Sequence, residues 1–548
     1  MGKVRSKASG SNAKPQPASQ LRLNLFGPGM TPLHRAGLGG LACTLRYIEK
    51  QYKAGALSDR EVPGHWSDKK PPWHIDAHSI TLDFSEPKRA EGYLKRLFKL
   101  AFGLKDGLIH LPGQYHLEPS QAVRAELQAG LLLTFLQHGR VRSLASESAR
   151  IQHDPEGTGV ATVSIEFKRC NGYKHQDGAD GLTTKGVLTT KNIEVIGPLN
   201  PGAMVRHVAF TSDTRIEEPP ERIIPLYFAL VGCISMAVNR GVGVLLIPEV
   251  DDLLLFAKIR PFMTPTSVRE CRIACASDAA MQAQVRLRSK SLLDAHDLPG
   301  LHAVTFMPTS WASQQKSRVL TTYVPPGDEL RLSQFEVALA ELPPKVVAWT
   351  VKRSVGRGKN RKVTEKTEWF WTDSVIRPLI ADNLSAGKPW YSGFVRLMTA
   401  TDSNGNPIRN KLAFERKGLH AMIEKIPWDS EAEAVVVRAV HEALRSRYRQ
   451  IADENKESPV AMKNRWQGEY DRWRLAFAGA KTADQFRNAL CDLFSRSRSN
   501  SVLREKWALI LPLLNERQWQ LARDLALLAL PSYSGQKDTD PENAKDVG

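Results

Sequence analysis

Apolar positions recur along this chain with two different periods, and the change of period divides it. From about residue 21 to 415, short apolar or alternating runs are interleaved with longer runs of helical period. The short runs read as strands: LRLNLF (21–26), SITLDF (79–84), VSIEFKR (163–169), VGVLLIP (242–248) and HAVTFMP (302–308), each bounded by Gly, Pro or polar turns. The longer runs predict helices over 88–102, 119–138, 223–239 and 331–341. From about 429 to 531 the period is helical throughout, in about five segments with short connections, the pattern of a compact bundle. Ser430 and Glu433 stand in capping-box spacing before the first of these segments, and Thr482 is placed to cap a later one. The expected fold class is α+β: a mixed α/β body over 21–415, a linker at 416–428 with Gly418 and Pro427, and an all-α bundle over 429–531. Residues 1–20 and 534–548 are polar, low in complexity and expected to be disordered.

One stretch fits neither period at first sight. GPGMTPLHRAGLGG (27–40) holds five glycines in 14 residues. Gly37, Gly39 and Ala42 match the dinucleotide fingerprint G-x-G-x-x-A, which needs its glycines in the turn between strand and helix. Here the strand ends near Phe26, with ten residues between it and Gly37. The turn is better placed at Gly27–Met30, with Thr31 as N-cap and Pro32 at the first helical position. Leu33, Gly37, Leu41, Leu45 and Ile48 then share one helical face. Gly37 and Gly40 fall inside the helix, at a cost of about 1 kcal/mol each, which a close helix-to-sheet contact would offset.

Charge narrows the partners. The chain of 548 residues carries 76 Lys+Arg against 58 Asp+Glu, a formal charge of +18, while 42% hydrophobic residues suffice for a sizeable core. Such an excess suits a polyanion, since clustered cations release counterions from nucleic acid. The six cysteines (Cys43, Cys170, Cys233, Cys271, Cys275 and Cys491) form no C-x-x-C pair, the usage of a reduced compartment. No apolar run approaches a membrane span, so a soluble cytoplasmic protein is expected.

Several motifs carry chemistry in principle. His74, Asp76 and His78 alternate in PPWHIDAHS, a candidate metal site without an identifiable fourth ligand. Glu249, Asp251 and Asp252 follow an apolar strand, as magnesium-holding carboxylates do in phosphodiester chemistry and as first-turn acids do in any helix. No Walker loop, G-x-S-x-G or H-E-x-x-H is present. The strongest charge feature is 346–374, read as a basic hairpin: Lys352, Arg353, Arg357, Lys359, Arg361, Lys362 and Lys366 lie around a glycine-containing tip. Trp349, Trp369, Phe370 and Trp371 stand at its base. Such a hairpin is either a solvated loop on core aromatics or a finger for a nucleic-acid backbone. A second candidate, 167–186, joins Lys168, Arg169, Asn171, Lys174, His175 and Lys185 with four glycines, suited to a groove or to a plain surface loop. The helical region offers Arg445, Arg449, Arg465, Arg472, Arg496 and Arg498, a cationic face for a single strand.

At this point two strings carry a resemblance. LFGPGMTPLHRAGLGGLACTLR (25–46) and LREKWALILPLLNERQWQLARDLALLALPSY (503–533) resemble the start and end of the large-subunit proteins of type I CRISPR Cascade complexes, in the Cas-eight group's Myxan branch. The resemblance implies a non-catalytic protein without cofactor. Its partners would be crRNA, double-stranded target DNA with its displaced single strand, and the backbone, handle-end and small subunits of the complex. It would read the short PAM duplex while guide pairing reads sequence, support strand separation and the R-loop, and lay its C-terminal bundle along the strands. In related systems the bundle is also made separately, so Met422 and Met462 are candidate internal starts. The downstream effector would be a helicase-nuclease or, in transposon-linked systems, a transposition adaptor. Two rivals remain open: a magnesium-dependent nuclease using Glu249, Asp251 and Asp252, and an assembly subunit without DNA contacts.

Overall fold

A computed structural model describes residues 18–155, 157–159, 161–201, 216–238, 241–290, 294, 297–311, 314–355, 362–402, 405–456, 458–497 and 500–534. The polar ends expected to be disordered lie almost wholly outside these. The chain forms two compact units: residues 1–149, 167–235 and 247–264, and residues 150–166, 236–246 and 265–548.

In the first unit, strand Ser79–Asp83 is the centre of a three-stranded antiparallel sheet, flanked by Gln20–Asn24 and Trp73–Ile75. Alternation puts Leu21 and Leu23 inward, as the period of two requires. The helices are α1 (Pro32–Lys53), α2 (Ala90–Ala101), α3 (Gln121–Leu133), α4 (Pro220–Gly232) and α5 (Leu253–Met263). The glycine turn is as expected: Gly29 adopts φ +79°, and Thr31 caps α1 with Pro32 in its first turn. Thr31 and His34 complete a capping box, with Thr31 Oγ1 2.7 Å from His34 Nδ1.

The helix itself departs from expectation. Almost every residue from Leu33 to Leu45 is buried, so α1 is enclosed rather than one-faced. Its glycines meet helices, not a sheet. A Cβ on Gly37 would lie under 3.0 Å from the Pro225 carbonyl oxygen, one on Gly40 under 3.0 Å from that of Phe228, and one on Gly232 under 3.0 Å from that of Ala36. The backbones of α1 and α4 therefore touch directly. On another side Gly39 leaves room for the Phe256 ring of α5. Arg260 of α5, fully buried, closes the far end of α4: its Nε donates to Gly232 O at 2.7 Å and its Nη2 to Cys233 O at 2.5 Å. These carbonyls are among those a helix C-terminus leaves unpaired. α4 is shorter than predicted, because Ile234–Val238 leaves the helical path as a strand.

The second unit holds a sheet in the order Ile234–Val238, Val242–Pro248, Leu301–Trp311, Gln314–Val324, except for residues 234–235 and 247–248, which are counted with the first. Another contains the predicted hairpin, Lys345–Val355 paired antiparallel with Lys362–Thr372. Its helices are α6 (Ala276–Ser289), α7 (Glu329–Glu341), α8 (Arg377–Ser385), α9 (Val395–Thr399), α10 (Arg409–Leu412), α11 (Arg416–Lys425), α12 (Glu431–Glu454), α13 (Pro459–Gly479), α14 (Ala483–Arg496), α15 (Ser501–Ile510) and α16 (Trp519–Ser532). The helical region thus starts near 377, well before 429. The expected linker is helix α11, with Leu419 and Met422 fully buried. Gly418 serves close packing against the Glu341 carbonyl rather than flexibility. Thr482 caps α14 as expected, whereas Ser430 sits at the N-cap of α12 without a side-chain capping bond. Glu433, the other half of that box, is buried beside Tyr391, and this desolvation raises its pKa to about 7. Deep in this unit the Arg377 guanidinium meets the Asp278 carboxylate in a two-pronged pair, 2.9 and 2.6 Å, with both side chains fully buried.

Candidate nucleic-acid interface

Strand Val163–Tyr173, counted with the first unit from Phe167 onward, runs into a 3-10 helix at Lys174–Gly181 and a small hairpin, Thr183–Thr184 with Val187–Leu188. Lys185 (φ +53°) and Gly186 (φ +84°) form its two-residue tip, the left-handed pair that such tight turns require. The inner side is firmly packed. Tyr173 donates from its hydroxyl to Gly103 O, Gln176 Nε2 to Phe102 O, and Gly178 faces the rings of Phe98 and Tyr227. Cys170 N–H donates to Gly107 O at 2.7 Å, and Gly107 lies against the Arg169 stem. The outer side carries Lys168, Arg169, Asn171, Lys174 and Lys185, all exposed. None of the four cations forms an ion pair among the described residues. An exposed, unpaired cation held on a rigid base can move to a phosphate without breaking an existing contact.

His175 leaves this set. It is fully buried among Phe102, Phe135, Tyr173 and Tyr227, with neither ring nitrogen hydrogen-bonded. Burial lowers its pKa to about 3. In a 3-10 turn the alternation of polar and apolar residues is too short to show which one points inward. The folded imidazole stays neutral while an unfolded one protonates below about 6.5. Stability is therefore lost as pH falls from about 6.5 towards 3, by up to about 1.4 kcal/mol per pH unit. His175→Leu is expected to remove that part of the acid sensitivity, seen as a smaller difference in Tm between pH 7.5 and 5; an unchanged difference refutes it.

The basic hairpin lies in the second unit. Its strands pair from Lys345–Thr372 to Val355–Lys362, and a neighbouring strand joins at Trp369, opposite Val163 and parallel. Lys352, Arg353, Lys362 and Lys366 occupy strand positions, whereas Arg357, Lys359 and Arg361 lie outside the described residues. The four base aromatics separate. Trp369 and Trp371 are half-buried, while Trp349 is 63% exposed and Phe370 41%. Composition groups these rings together; only the pairing register tells them apart.

The bundle arginines differ from the loop cations because acids hold three of the six. Arg472 and Arg496 share Asp492, at 3.2 and 2.7 Å, and Arg465 pairs with Glu454 at 3.1 Å. Arg445 and Arg449 are exposed near Tyr533, and Arg498 lies outside the described residues. Trp473 and Trp519 are core, but Trp507 is 54% exposed and lines a groove of about 580 Å³ with Arg504 and Phe494.

The acid motifs have local tasks. Asp252 caps α5, its carboxylate accepting Leu255 N–H at 2.8 Å, and exposed Asp251 faces Arg35 at 3.8 Å. Asp76 folds a tight turn, accepting N–H from His78 and Ser79 and the Ser79 hydroxyl. Among the described residues no three His, Cys, Asp or Glu side chains converge as metal ligands. No helix there is long and apolar enough to cross a membrane, and none of the six cysteines is joined in a disulfide among the described residues.

Comparison with known proteins finds two family matches and one close relative. Residues 22–227 match the DevT N-terminal domain, and residues 424–547 the DevT C-terminal domain. The CRISPR-associated protein Cas8a1/Csx13 of Myxococcus xanthus (strain DK1622) is 35% identical over 549 aligned residues, covering 97% of this chain and 91% of that protein.

Proposed function

Since this chain belongs to the Cas8a1/Csx13 family, the Myxan group of Cascade large subunits, we propose that it is the non-catalytic large subunit of a type I complex. In this reading it binds crRNA and the PAM duplex of target DNA, and supports strand separation while guide pairing reads the sequence. The observation that carries the DNA-binding part is the 168–185 loop: four exposed cations and Asn171, unpaired, on a packed and hydrogen-bonded base. Lys and Arg supply phosphate contacts, and Asn171 has the amide that reads a base edge. The basic hairpin would add backbone contacts, and Arg445 and Arg449 of α12 would support a strand. A helicase-nuclease or a transposition adaptor would then act on the opened target.

The test is binding of the assembled complex to a PAM-containing duplex. Replacing Lys168, Arg169, Lys174 and Lys185 together by alanine is expected to weaken binding at least tenfold at 0.15 M salt. The slope of log affinity against log salt should fall by about 1 for each lost phosphate contact. Asn171→Ala should instead change the preference in a randomised-PAM screen. Unchanged affinity, salt slope and preference would favour the assembly-only rival. The nuclease rival has less support, because Asp252 is engaged as a helix cap; metal-dependent cleavage abolished by Asp251→Ala would revive it.

A further inference from the structure

Resting on the nucleic-acid reading above, we infer that one face of the hairpin Lys345–Thr372 is a stacking platform for an unpaired DNA strand. Successive residues of a strand point to opposite faces, and directly paired residues share a face. With Trp349 opposite Glu368 and Val347 opposite Phe370, the exposed rings of Trp349 and Phe370 occupy one face as diagonal neighbours, about 7–8 Å apart at the backbone. Trp369 and Trp371 belong to the other face and are half-buried.

The register also sorts the charges. Arg353, Lys362 and Lys366 hold positions on the Trp349 face, with Glu368 its acid. On the other face the register sets one basic position, Lys352, directly opposite one acidic position, Glu365. One face thus sets more basic than acidic register positions beside two exposed rings, and the other carries the half-buried rings.

Exposed rings beside cations fit unpaired bases better than duplex, whose bases already stack on one another. A sheet face that awaited a protein partner would not need the cationic excess. The paired strands, KVVAWTVKRSV and KVTEKTEWFWT, contain no Asn or Gln, the amides that read base edges. Stacking on the rings is sequence-tolerant because every base has a π-face, as a strand displaced from an arbitrary target demands, whereas a guide RNA of fixed repeat sequence invites edge reading.

The experiment compares the full chain with its Trp349→Ala/Phe370→Ala variant on four probes: oligo-dT, the same oligomer with abasic sites, a blunt duplex, and oligo-U. Removing the rings is expected to weaken oligo-dT binding about tenfold or more. Abasic and duplex binding, and the salt slope, should not move. Trp349→Phe/Phe370→Tyr should retain wild-type binding, which separates stacking from damage to the hairpin. Equal losses on dT and abasic oligomers, or no loss on dT, would overturn the platform. Ring-dependent binding of oligo-U as tight as oligo-dT would overturn the assignment to DNA. If the 168–185 alanine variant alters duplex binding while the ring variant is inert, the platform fails and the function proposed above stands. The converse result removes the loop and keeps the platform.

Discussion

Gly37→Leu is expected to prevent the first unit from folding. The side chain would have to enter the space held by the Pro225 carbonyl, and main chain in a packed helix cannot swing aside as a side chain would. Ordinary overpacking costs about 1–3 kcal/mol because neighbours shift. Forcing α1 and α4 apart also disrupts the matching approach at Gly40 and Gly232, so the expected loss exceeds about 4 kcal/mol, a large share of a domain's stability. The result should be insoluble protein or loss of the protease-resistant first unit, with the second unit's products retained. Gly468→Ala is the control. It lies within α13 with nothing within 4 Å of the added Cβ, so it should stabilise by up to about 1 kcal/mol. A Gly37→Leu protein that melts like wild type and lacks only ligand binding would restore the phosphate-grip reading of the glycine stretch.

Asp278→Ala is expected to cost about 3–5 kcal/mol, because it strands the Arg377 charge where water does not reach. Burial acts against that charge, yet Asp278 outweighs it and holds the guanidinium above its ordinary pKa. The pair is fully supported: Asp278 also accepts Ala274 N–H and Gln282 Nε2, and Arg377 reaches the carbonyls of Leu342 and Arg272. It joins α6 to α8, where the helical region begins. Asp278→Ala/Arg377→Met removes both charges and should recover most of the loss. A double variant no more stable than Asp278→Ala, by denaturant unfolding, would show that the geometry around the pair, not the charge, sets the cost.

These two sites mark where local reading stops. The Gly-Pro-Gly turn, the Thr31 and Thr482 caps, five strands and the bundle helices were all legible, because each depends on neighbours within a few residues. Nothing in the chain near Gly37 says that its partner is Pro225, and nothing near Asp278 names Arg377. The short amphipathic run RKGLHAMIEK reads as a linker because of Gly418 and nearby Pro427, yet Leu419 and Met422 anchor it as a helix. Composition groups His175 with cations, although a cage of aromatic rings from distant segments holds it.

The sequence alone therefore determined the elements, their class and the basic segments, and the GPGMTPLHRAGLGG string pointed to the family that near-full-length identity then established. Those properties are local, or are carried by the order of residues itself. Tertiary structure decided which glycines are packing surfaces, which arginines acids already hold, and which aromatic rings of the hairpin face water. Burial, ion pairing and strand register are set by groups tens or hundreds of residues apart, and only the folded chain brings them together.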